Sequence, residues 1–182
     1  RQINSGFAEM IKHSLIDSNE HWNKIKNVNF SKDIDSSLIY NSIMTKIKII
    51  ENDPKESSTR KFLNFGHTIG HAIESFLLNS DREILHGEAI LIGIILESYL
   101  SQKLLNFDTQ LTLKIKNYIL KFSKQIDFSK EDIKHVIEFL KYDKKNIGDK
   151  PLFVLLNEIG KPSYDNKVSN KEIIEAFKFY AV

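Results

Sequence analysis

The chain has 182 residues, 41% of them hydrophobic and 27% charged, with 26 Lys and Arg set against 24 Asp and Glu. This is the composition of one globular domain, or one domain with a small annex, able to bury a real core, and its interleaved, nearly balanced charges exclude a basic face for nucleic acid or an anionic membrane. There is no cysteine, so disulfides and thiolate metal sites are excluded and any metal must be held by histidine and carboxylate; a reducing compartment, the cytoplasm, is the expected location.

Residue 1 is arginine, no leader pattern precedes the first helical repeat, and that repeat begins at once, which predicts a fragment lacking an N-terminal part. Ile3, Phe7, Ile11 and Ser14 or Leu15 follow helical spacing with Glu9, Lys12 and His13 on the other side, predicting an amphipathic helix over 3–16. A second helix is predicted from a cap at Asp35 through Ile43, Ile47 and Ile50, stopped by Asn52-Asp53-Pro54.

Ser58 or Thr59 is then expected to cap a helix carrying the string RKFLNFGHTIGH, residues 60–71. At about 100° per residue, Arg60, Asn64, His67 and His71 fall within roughly 60° of one another as a polar stripe. Phe62, Phe65, Ile69, Ile73 and Phe76 form the opposite, core-facing side. Gly66 and Gly70 each cost about 1 kcal/mol relative to alanine inside a helix, which calls for close helix packing or for room beside His67 and His71.

Residues 84–88 lead into the apolar run Ala89 to Leu96, which stops at Glu97. That is far short of the roughly 20 residues of a membrane span, so it predicts a buried helix with Glu88 at its positive end and His86 at its start. Further helices are predicted after Asp108-Thr109 and after Ser129, and Ser169 with Glu172 has capping-box spacing. Phe153 to Leu156 followed by a turn at Gly160 reads as a strand paired with residues around Tyr164 to Val168. The expected fold is mainly α, multi-helical, with at most a short β-hairpin. No glycine-rich phosphate loop is present, so no nucleotide fold is visible.

Histidines at i and i+4 can reach one metal ion, but Thr68 stands where a zinc protease needs glutamate. A catalytic zinc takes three N or O ligands and leaves one position open, and Glu9, His67, His71 and His86 offer four candidates. Taken singly, Lys12, Lys46, Arg60 and Lys144 read as solvated helix charges; a phosphorylated acidic substrate would require several such cations around it.

Four strings in order, SGFAEMIKHSLI (5–16), RKFLNFGHTIGHAIES (60–75), LHGEAI (85–90) and DKKNIGDKPLFVLLNEIGKP (143–162), closely resemble the C-terminal domain of the 3-dehydroquinate synthase family across nearly the whole chain. The resemblance implies a metal- and substrate-binding helical domain over residues 1–182, with the family's N-terminal NAD-binding domain absent from the chain. It implies the conversion of 3-deoxy-D-arabino-heptulosonate 7-phosphate to 3-dehydroquinate and phosphate in the shikimate route, using NAD and zinc or cobalt, in a homodimer.

By motif position it assigns Glu9, His67 and His86 to the metal, and His71 to proton handling beside the substrate phosphate. Glu56 becomes a proton acceptor, Arg60 and Lys46 face the substrate carboxylate, and Lys12 and Asn64 line the substrate, Lys12 also with a catalytic role. A late substrate lysine falls on Lys144, with Lys145 and Lys150 near enough to exchange with it. Family sites also draw on the missing half and on a neighbouring subunit, so the polypeptide alone is expected to be inactive. Arg60 with Lys46 favours a carboxylate-bearing substrate over those of other sugar phosphate cyclases. A helical metal-binding or dimerisation module without catalysis is the alternative from a different class.

Overall fold

The computed structural model describes residues 2–28, 35–78, 80–141 and 151–182. Helix α1 (Gln2–Asp17) buries Phe7, Ile11 and Leu15, as the spacing predicts. A short helix absent from the sequence reading follows, α2 (Asn19–Ile25), where the Ser18 hydroxyl accepts from the His21 N–H at 3.2 Å and Trp22 and Ile25 enter the core. Helix α3 (Ser36–Asn52) begins where the Asp35 carboxylate accepts from the Ser37 N–H at 2.9 Å and ends just before Asp53-Pro54.

The stretch expected as one continuous helix from Ser58 or Thr59 is instead two. A 3-10 helix, η1 (Thr59–Asn64), gives way to an extended Phe65 and a left-handed Gly66 at φ 79°, and α4 (His67–Leu77) starts afresh. Ser58 makes no side-chain cap; the buried Asp53 carboxylate does that work, accepting from the N–H groups of Ser57, Ser58 and Arg60 at 3.0, 2.7 and 3.0 Å. The polar stripe is therefore divided, Arg60 and Asn64 before the bend and His67 and His71 after it. On the other side, Phe65, Ile69 and Ile73 are buried and Phe62 and Phe76 pack partly against the core.

Helix α5 (His86–Leu105) is the centre of the molecule, touching α1, α4, α6 (Thr109–Ile119), α8 (Asn170–Ala181) and β1 (Leu152–Glu158). Every residue from Ala89 to Leu96 is buried, as a helix apolar all round should be. No helix among the described residues is long and apolar enough to cross a membrane. Helix α7 (Lys130–Lys141) packs on α4, and Ser169 with Glu172 forms the expected capping box of α8. Strand β1 pairs antiparallel with β2 (Lys161–Lys167), from Leu152 opposite Lys167 to Glu158 opposite Lys161, around the Gly160 turn. This hairpin is the only sheet among the described residues, and the Ser101 hydroxyl ties it to α5 by accepting from the Leu156 N–H at 2.9 Å. The fold is mainly α.

Helices α4 and α5 run antiparallel at close range. A Cβ on Gly93 would collide with the backbone carbonyl of Gly66, and one on Gly70 would press on the Ala89 carbonyl oxygen at 3.1 Å. Close packing is thus the role of these glycines. Gly93→Ala should destabilise the chain by about 3 kcal/mol, the upper range for over-packing against atoms that cannot rotate away. Gly6, within α1 and with nothing within 4 Å of an added Cβ, should gain about 0.5–1 kcal/mol as alanine. Urea unfolding of both variants checks the pair, and a Gly93→Ala midpoint at the wild-type value would refute the packing argument.

Candidate active site

Two helix starts and the middle of a third helix bring the donor side chains together. His67 is the first residue of α4, His71 lies one turn on, and His86 is the first residue of α5. Beside His86, Gly87 admits the backbone of Ser5 where no side chain would fit, which seats α1 against the start of α5 with Glu9 one turn along. The three imidazole rings are 5.1 Å (His67–His71), 5.7 Å (His67–His86) and 5.5 Å (His71–His86) apart between centroids. One nitrogen from each can be chosen so that all three lie within 4.8 Å of one another. Glu9 joins them, its Oε1 3.4 Å from His67 Nε2 and its Oε2 2.7 Å from Lys12 Nζ.

The rings are held from behind. His67 Nδ1 lies 3.2 Å from the Phe65 carbonyl oxygen, a bond the extended Phe65 makes available, and His86 Nδ1 lies 2.9 Å from Glu74 Oε2. Burial drives His67 below its ordinary range ahead of the opposing Glu9 carboxylate, so it is neutral at pH 7. Burial pushes the Glu9 carboxyl up, but His67 and the Lys12 ammonium outweigh it and hold Glu9 ionised. The fit to a metal can be judged from these donors: Glu9 Oε1 is buried without a hydrogen-bond partner among the described residues, beside a neutral imidazole. An unfilled carboxylate lone pair among ring nitrogens suits a zinc-class cation.

A second group lies just before the Gly66 bend. Glu56 adopts φ 55°, a left-handed conformation that costs a non-glycine residue on the order of 1 kcal/mol. It is held there by Asn64, whose Nδ2 donates to its Oε1 at 3.2 Å, with Arg60 Nε 3.9 Å from its Oε2 and Arg60 Nη1 donating to the Pro54 carbonyl at 2.9 Å. Thus Glu56, Arg60 and Asn64 are brought together, although not as one helix face. Lys12 is buried against Glu9, while Lys46 is exposed on α3, its charge reaching the buried His13. Lys144, Lys145 and Lys150 lie outside the described residues.

The sequence reading gave no site role to Glu74 or Glu97, and gave Asp53 only a part in stopping α3. Glu97 had a visible signal, as the charge ending an apolar run inside a helix with no polar face. It is fully buried, and its carboxylate accepts from the Gly66 N–H at 2.6 Å and the Ile69 N–H at 3.1 Å, capping the start of α4.

Residues 6–146 match a family profile described as 3-dehydroquinate synthase C-terminal. The 3-dehydroquinate synthase of Parabacteroides distasonis is 40% identical over 98% of this chain and 51% of its own length. That of Leptospira interrogans is 38% identical over 97% of this chain and 49% of its own. Among solved structures, 2-deoxy-scyllo-inosose synthase complexed with carbaglucose-6-phosphate, NAD+ and Co2+ superposes with a TM-score of 0.76 at 24% identity, over 98% of this chain and 51% of that one. The 2-epi-5-epi-valiolone synthase from Streptomyces hygroscopicus subsp. jinggangensis, with NAD+ and Zn2+ bound, gives 0.74 at 18%, over 98% and 51%. The fold is thus shared with about half of each of these two synthases. Within it, the chain belongs to the 3-dehydroquinate synthase C-terminal family, and it spans about half the length of the curated relatives it matches.

Burial pushes the Glu97 carboxyl from its ordinary 4.5 up to about 8, against the three backbone N–H groups that favour its ionised form. A folded value above the unfolded one means the folded chain holds the proton across that window, so stability falls as pH rises from about 4.5 to about 8. His13, kept neutral by burial down to about 3, contributes the opposite slope, but its window closes at its ordinary 6.5. Between pH 6.5 and 8 metal-free protein should therefore lose stability, and Glu97→Gln should flatten that decline. Denaturant midpoints across the interval test this, and equal slopes for the two proteins would contradict it.

Proposed function

We propose that this chain is the metal- and substrate-binding half of a 3-dehydroquinate synthase, acting with an NAD-binding half and assembling as a homodimer. The reaction is the conversion of 3-deoxy-D-arabino-heptulosonate 7-phosphate to 3-dehydroquinate and phosphate: transient oxidation of a hydroxyl, phosphate elimination, re-reduction, and aldol closure. The observation that carries this reading is the convergence of Glu9, His67, His71 and His86 in a member of this family. The curated relatives bear the synthase name, and the solved relatives bind NAD+ with Co2+ or Zn2+.

Glu9, His67 and His86 would hold the ion. When bound, a zinc-class ion supplies a Lewis acid for the hydroxyl being oxidised, and NAD supplies the hydride acceptor. Lys12 compensates one oxygen of Glu9 and leaves the other for the ion. His71, a member of the same cluster but not of this ligand set, handles the proton at the phosphate-bearing end. Glu56 takes a proton, its carboxylate aimed by Asn64 and Arg60, and Arg60 with Lys46 matches the substrate carboxylate. Lys12 and Asn64 line the substrate, and Lys144 is the late contact. A second reading of the ligand set takes His71 in place of Glu9, because the three imidazoles alone approach closely enough to share an ion. A second reading of the substrate is that of another sugar phosphate cyclase, favoured by the fold neighbours and opposed by the carboxylate-matching Arg60 and Lys46.

The chain should bind about one zinc ion, weakening at low pH as the imidazoles protonate, and should show no synthase activity until joined to an NAD-binding half. In that two-part enzyme His67→Ala should lose the ion, whereas His71→Ala should keep it and slow turnover by about 10²- to 10⁴-fold, the range for removing a general acid or base. Metal content and steady-state rates decide: zinc loss in His71→Ala would move that residue into the ligand set. A metal-loaded two-part protein without turnover would favour the non-catalytic module.

A further inference from the structure

We propose that Glu74 is a positioning residue for the metal centre, orienting His86 and strengthening it as a ligand; the inference rests on the metal reading above. The antiparallel packing of α4 and α5 runs in steps of four, Gly66 against Gly93 and Ile94, Gly70 against Ile90. The next step sets Glu74 against His86, and there the Glu74 Oε2 meets His86 Nδ1 at 2.9 Å. The glycine contacts that lock the two helices therefore also fix this pair, without either side chain needing to be buried. A carboxylate on Nδ1 requires the hydrogen on that nitrogen, which leaves the Nε2 lone pair as the one His86 can offer, and the carboxylate's charge makes that lone pair more basic. His67 is handled likewise by a neutral partner, the Phe65 carbonyl, so the two rings would differ in basicity by design of their second contact.

A tether between helices would account for the same contact, and the two roles separate by measurement. Both side chains are partly exposed, so the pair should contribute little to stability, and loss of Glu74 should leave the thermal midpoint of the metal-free chain nearly unchanged. Titrating the chain and its variants with Zn2+, and with Co2+ followed by its visible absorption, should give about 10- to 100-fold weaker binding for Glu74→Ala, the range for deleting a ligand's outer partner. Glu74→Gln, which can still accept from Nδ1–H through its amide oxygen but carries no charge, should lie between Glu74→Ala and the wild type, and the Co2+ spectrum of the alanine variant should change. Wild-type affinity and spectrum in both variants, with the wild type itself binding one ion, would overturn the role of Glu74 alone. A lowered thermal midpoint with unchanged affinity would make the pair a tether and overturn it equally. A wild-type chain that binds neither ion would overturn the metal reading and this inference together.

Discussion

The contact between the Gly66 carbonyl and Gly93 governs the geometry of the whole site. It demands backbone against backbone, so neither position tolerates a side chain, and it demands the left-handed turn that breaks the segment 59–77 in two. Such a break leaves the first N–H groups of α4 facing an apolar interior, where unsatisfied donors are not tolerated. Glu97, one turn beyond Gly93 on the same helix, answers them from within the core. Close approach, bend and cap form a single unit contributed by two helices.

The bend has a direct chemical consequence. Had residues 59–77 formed one straight helix, His67 would have sat mid-helix with its partners one turn away on the same rod. Starting α4 at His67 turns the Phe65 carbonyl toward its Nδ1 and its Nε2 toward Glu9, while the loop on the other side of Gly66 is free to curl around the Asp53 carboxylate. Two polar groups with different partners therefore arise from what looks in the sequence like one stripe: imidazoles with Glu9, and Glu56 with Arg60 and Asn64.

Periodicity made α1 legible and an unbroken apolar run made α5 legible, whereas α3 starts at its Asp35 cap but buries Leu38, Ser42 and Thr45 and leaves Ile43 and Ile47 of the expected apolar stripe exposed; the caps at Asp35, Asp108 and Ser169 act as their residue types suggest. The short α2 escaped because seven residues give too few repeats to register, its only local marks being Ser18 and the buried Trp22. The division at Gly66 escaped for a different reason. A helical wheel assumes continuous turns, and a backbone collision with Gly93, 27 positions away, has no trace in local spacing. The candidate site residues could be named as residue types and from family motifs, but what holds them in place could not: the Phe65 carbonyl, Asp53 and Glu74 act through backbone and tertiary contacts that leave no periodic signal.

The acidic side chains separate by what fills their oxygens. The Asp53 oxygens are met by the N–H groups of Ser57, Ser58 and Arg60 and by the Ser57 hydroxyl, and both Glu97 oxygens are met by N–H groups at the start of α4. These are structural carboxylates, their lone pairs committed to backbone ends that would otherwise be stranded. Glu9 differs: one oxygen is compensated by Lys12, and the other is buried, without a hydrogen bond, beside a neutral imidazole. A buried acceptor left open is destabilising by about 1–3 kcal/mol, and a cation at this oxygen would remove that cost. An oxygen in that condition can accept a cation, which neither the Asp53 nor the Glu97 oxygens can do without giving up an N–H donor.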